Sequence, residues 1–106
     1  YWLVSNQATD SMRCVSSLSN IKRYGLPNNE RHRLQLHFSR NCVDWCFAGM
    51  VACSTNELYS RNYPSAVIKG DDLHIVCRSA DEHALNPQYN NMITHHIVSN
   101  FRQLIY

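Results

Sequence analysis

Leu34, Leu36 and Phe38 alternate with Gln35 and His37 in "RLQLHFS", the period-two pattern of a strand with one buried face. The opening "YWLVSN" (1–6) reads as a strand as well. "WCFAGMVAC" (45–53) is a nearly continuous apolar run, which predicts a strand covered on both faces. The clearest pattern is "YPSAVIKGDDLHIVCRS" (63–79). Two apolar stretches flank Gly70-Asp71-Asp72, and Gly and Asp tolerate the positive φ of a tight hairpin loop. "MITHHIVSN" and "FRQLIY" close the chain as two further short strands. The polar stretches 7–33, 54–62 and 79–91 read as connections. The first contains the turn signal Gly25-Leu26-Pro27-Asn28-Asn29, and its "SSLSNIKRYGL" is open to a short helical turn or an irregular strand. Seven candidate strands, no long helix and no βαβ alternation make the chain all-β.

Laying "LQLHFSRNCVDWCF" (34–47) over "ITHHIVSNFRQLIY" (93–106) gives a gapless register offset by 59 residues. Leu34 falls on Ile93, His37 on His96, Phe38 on Ile97, Asn41 on Asn100 and Trp45 on Leu104. Repeated units of about 50 residues with four short strands are what propeller blades look like, because one blade cannot bury both its faces alone. On this reading 1–53 is a partial first blade (strands two to four, with the polar loop 7–33) and 60–106 is a second blade. The chain then holds about one and three-quarter antiparallel four-stranded blades. A small β-sandwich is the alternative, although the Cys-Trp-Cys spacing of an immunoglobulin-like domain is absent. Open strand edges and uncovered faces predict a homo-oligomer or association with further blades.

Composition narrows this picture without deciding it. A chain of 106 residues is expected to form one domain with a modest core. Its net charge of +2, with no block of like charges, argues against nucleic acid as a partner. No long apolar run or signal peptide is visible, so no membrane partner is expected. The start at Tyr1 without Met suggests an excised, incomplete or processed chain. Five cysteines leave at least one unpaired within a monomer, and their strand-like surroundings predict buried free thiols. With no Asn-x-Ser/Thr sequon, these features predict a reducing, cytoplasmic setting.

"YWLVSN", "HRLQLHFSRNCVDW" and above all "YPSAVIKGDDLHIVCRSADE…NNMITHHIVSNFRQLIY" resemble consecutive blades of the sialidase-like β-propellers, an exo-acting glycosidase superfamily. The resemblance covers nearly the whole chain apart from 7–33. It implies a carbohydrate ligand and no cofactor. The sialidase Asp-box pattern survives only as "SRNCVDW": Ser39 and Trp45 remain, Asn stands for Asp, the Gly is missing and the spacing is one residue short. The resemblance therefore supports the fold better than the activity.

Such enzymes need cations to hold a substrate carboxylate, and planar, bidentate Arg suits that task. Arg78, at the end of its strand, is the best-placed candidate for substrate binding, with Asp81 and Glu82 beside it. Tyr63 and Tyr89 come second as phenols at a turn or rim. No complete Arg cluster with a Tyr–Glu pair is legible, so no catalytic residue is assigned and the isolated chain is expected to lack hydrolase activity. Cys42-x3-Cys46 and His95-His96 are ligand-type residues. However, residues four apart on a strand are separated by about 13 Å, and neighbours face opposite sides, so no metal site is expected. Neither a nucleophile elbow nor a Gly-rich phosphate loop is present.

Overall fold

The computed structural model describes residues 1–6, 31–56, 58–85 and 89–106. The expected loop 7–33 and Pro87 thus fall largely or wholly outside the described residues. Strands β1 (Trp2–Asn6), β2 (Arg33–Phe38) and β3 (Cys46–Cys53) form one antiparallel sheet in that order, and β4 (Arg61–Lys69), β5 (Asp72–Ser79) and β6 (Met92–Val98) form another. All-β character is as read from the sequence, but each sheet has three strands.

The hairpin at 63–79 pairs Lys69 with Asp72, leaving Gly70 and Asp71 as a two-residue loop. Gly70 supplies the positive φ of 61° that such a loop needs at its first position. "FRQLIY" is not a strand. Asn100 enters the left-handed region at φ 51°, and Phe101–Leu104 make a 3-10 turn. That turn is pinned to the hairpin loop: Arg102 Nη1 donates to the Gly70 carbonyl at 3.0 Å, and the Asn100 N–H donates to Asp72 Oδ1 at 3.1 Å.

Leu34 and Leu36 of β2 pack with Leu73, Ile75 and Cys77 of β5 and with Phe101, so one core lies between the two sheets. Trp2 and Val4 from β1, Ala52 from β3 and Val98 from β6 close its margins. Phe101 is fully buried and meets the Trp2 ring edge-on at 4.8 Å. The side chain of Asn6 spans the sheets: its Nδ2 donates to the carbonyls of Arg33 at 2.9 Å in one sheet and Arg61 at 2.7 Å in the other.

Coverage of β2 and β3 is the reverse of the sequence expectation. β2 is the central strand, and Gln35, one of the two polar members of its alternation, is buried along with its leucine neighbours, while His37 is half-buried. β3 is an edge strand despite its apolar run, with Phe47 and Met50 about half exposed. Position in the sheet, which residue pattern does not encode, decides how much of a strand is covered. The thiols also depart from expectation: among the described residues Cys77 alone is buried, while Cys42 and Cys53 are exposed free thiols. Cys42 sits in a surface loop at φ 61°, and Cys53 ends the edge strand.

Each sheet exposes large apolar side chains on its outward face, interleaved with histidine and serine. Leu3, His37 and Phe47 stand in one row across the first sheet. On the second, Val67, His74 and Ile97 form one row and Ser65, Val76 and His95 the next. Val67, Ile93 and Ile97 are each more than half exposed.

Candidate ligand-binding site

The site grows from an irregularity at the start of β4. Pro64 has no N–H to give the ladder, and the pairing of β4 with β5 slips between Asn62 and Ser65. Tyr63, inside that bulge, adopts φ 48°, a left-handed conformation that non-glycine residues rarely take. Its exposed ring lies beneath two guanidinium groups, with Cζ of Arg31 at 5.2 Å and Cζ of Arg78 at 5.3 Å from the centroid. Both contacts are within cation–π range.

Asn62 ties the two arginines together. It is buried, and in the amide orientation that satisfies both neighbours it accepts from Arg31 Nη1 at 3.1 Å and donates to the Arg78 carbonyl at 3.2 Å. Among the described residues no carboxylate forms an ion pair with Arg31 or Arg78. Arg61 serves the framework instead, its Nη1 donating to the carbonyls of Ser60 and Ala80. An open cleft of about 190 Å3 adjoins it, lined by His32, Cys53, Ser54 and Tyr59 among others.

The structure separates the residues that the sequence grouped around Arg78. Asp81 Oδ1 accepts from the Asn91 side chain at 2.8 Å and the His83 N–H at 2.9 Å. These bonds, that from Asn91 first, hold its carboxyl below the usual range. Glu82 accepts a hydrogen bond from the Tyr59 hydroxyl, which lowers the carboxyl pKa and raises that of the phenol. Neither carboxylate pairs with Arg78. Tyr59 and Glu82 form a Tyr–Glu pair that sequence spacing did not disclose, and the phenol keeps its proton at neutral pH. Tyr89 is exposed on the same loop.

His95 and His96 project to opposite sides, His95 opposite Val76 on the outward face and His96 opposite Ile75 on the core face. Burial, with Arg61 and His95 adding smaller effects, lowers the His96 pKa. Among the described residues no three metal-ligating side chains come together. No helix of the described residues is long and apolar enough to cross a membrane.

Sequence reasoning missed Arg31, which lies in the polar stretch 7–33 that read as a connection. A cue was present: Arg31 precedes β2 by two residues, so it belongs to the frame of the sheet.

The loop at 39–45 is held by its own side chains. Ser39 Oγ accepts from the backbone N–H of Cys42 at 2.8 Å, and Asn41 Oδ1 accepts from those of Val43 and Asp44 at 2.9 and 2.8 Å. The amide oxygen of Asn41 supplies the acceptor that a carboxylate provides in an Asx-type turn.

Comparison with protein-family models, curated proteins and solved structures finds no match to this chain.

Proposed function

We propose that the chain supplies two blade-like sheets to a sialidase-like, carbohydrate-active β-propeller, is not catalytic alone, and contacts an acidic sugar through Arg78, with Arg31 and Tyr63 beside it. The observation that carries this reading is the pair of guanidinium groups over Tyr63, with no carboxylate partner among the described residues. A guanidinium fork matches a carboxylate or sulfate bidentately, and an exposed phenol ring offers a face to the C–H groups of a sugar. Asp81 and Glu82, read from the sequence as substrate-binding, are engaged by Asn91 and Tyr59 instead of Arg78.

A charge-assisted hydrogen bond contributes roughly 1.5–3 kcal/mol, so Arg78→Ala weakens binding of acidic glycans by about tenfold or more. Titrating acidic and neutral oligosaccharides against both proteins, with circular dichroism as a check on folding, tests this. Equal binding by the variant, or no preference for acidic sugars, contradicts the reading. Hydrolysis of fluorogenic glycosides that disappears on Arg78→Ala contradicts its non-catalytic part.

A second reading, a structural blade pair that closes a ring with copies of itself, is favoured by the large apolar side chains on the outward faces. Face-to-face sheets occur both in a sandwich and in neighbouring blades, but a sandwich needs only its inward faces apolar. Here the rows Leu3–His37–Phe47 and Val67–His74–Ile97 place large apolar groups outside as well.

A further inference from the structure

We propose that His74 and His95 form a two-histidine chelate for a divalent transition-metal ion on the outward face of the second sheet. His74 lies on the central strand β5, opposite Ile97, while His95 on β6 is opposite Val76, which makes the two histidines diagonal neighbours across one ladder. His74 Nδ1 and His95 Nε2 are 3.0 Å apart. The ring centroids are 5.1 Å apart and the planes are inclined by 20°. The nitrogens therefore lie between the rings, close to the line joining them, and the imidazoles meet nitrogen to nitrogen.

That separation is the bite of a chelate. With metal–nitrogen bonds of about 2.1 Å, nitrogens 3.0 Å apart subtend about 90° at the ion, the cis angle of octahedral or square-planar coordination. A tetrahedral ion needs about 3.4 Å with bonds of that length. The geometry therefore favours Ni2+ or Cu2+ over Zn2+. Each ring must turn about its soft terminal torsion to aim its lone pair at the ion, and both rings are accessible enough to do so.

Proton positions allow the change. Without metal, one facing nitrogen donates its proton to the other. Among the described residues, His74 Nε2 and His95 Nδ1 have no hydrogen-bond partner. The bridging proton can therefore move to the outward nitrogen of the same ring, leaving two neutral imidazoles with both facing lone pairs free. Water, or a side chain of a sheet packed against this face, fills the remaining positions. This proposal does not depend on the sugar-binding reading.

The test is calorimetric titration of the chelator-treated chain with Ni2+, because Cu2+ oxidises exposed thiols such as those of Cys42 and Cys53. One ion is expected per chain, bound about tenfold or more weakly by His74→Gln and by His95→Gln. His83→Gln, on a separate exposed loop, is expected to bind as the parent does. Paramagnetic broadening of the unaltered chain should centre on the His74 and His95 imidazole signals, a readout independent of how well the variants fold. Absence of Ni2+ binding, parent-like binding by both pair variants, or broadening centred elsewhere overturns the proposal.

Discussion

Replacing Phe101 with alanine lowers the free energy of unfolding by about 3–5 kcal/mol. The ring is fully buried, packs edge-on against Trp2 at 4.8 Å, and joins the core cluster drawn from both sheets. Removing it deletes the transferred apolar surface and leaves a cavity at the junction of β1 with the hairpin loop. Collapse of that cavity is resisted by the hydrogen bonds that hold the 3-10 turn, from Arg102 to Gly70 and from Asn100 to Asp72. For a chain of 106 residues, whose whole stability is of the order of 5–15 kcal/mol, the variant should be marginal. Urea denaturation followed by circular dichroism measures the loss. A loss below about 1 kcal/mol means that the two sheets do not share this core.

Asn6→Ala is the second large effect, about 1–3 kcal/mol, and it acts on the link between the sheets rather than on apolar packing. The Asn6 amide donates to the carbonyls of Arg33 and Arg61, which belong to different sheets, and more distantly to that of Arg31. The Arg31 carbonyl keeps a partner in the Arg61 N–H, at 2.7 Å, so the cost falls chiefly on the other two. Asn6→Asp is expected to be at least as harmful, since a carboxylate presents oxygens to carbonyl oxygens. Amide hydrogen exchange along β1 and the start of β4 reads the loosening directly. Parent-like protection at both segments contradicts the bridging role.

Much of the fold was legible where local chemistry alone decides. The loop at Gly70-Asp71 follows from which residues accept positive φ, and the alternation at 34–38 marks β2 as a strand. Two properties were not legible because they are set by neighbours. "WCFAGMVAC" reads as doubly covered, yet its place at the sheet edge exposes Phe47 and Met50. "FRQLIY" has strand composition, but the left-handed Asn100 and the bonds from Arg102 turn it across the hairpin loop. The site was half visible. Arg78 stood out at a strand end, whereas Arg31 reaches the same tyrosine from 47 positions earlier in the sequence, a proximity that only the packing of the sheets reveals. The Tyr59–Glu82 pair, separated by 23 positions, was hidden for the same reason.

The central claim is that the two outward faces belong against further sheets. Light scattering coupled to gel filtration measures it most directly, as the absolute mass of the chain in solution. A discrete oligomer, a trimer above all, is the result expected, because three copies bring six sheets and six lies within the range of closed propellers, about four to eight. A monodisperse monomer contradicts the account: the rows of Val67, Ile97, Leu3 and Phe47 would then be the ordinary surface of a small sandwich.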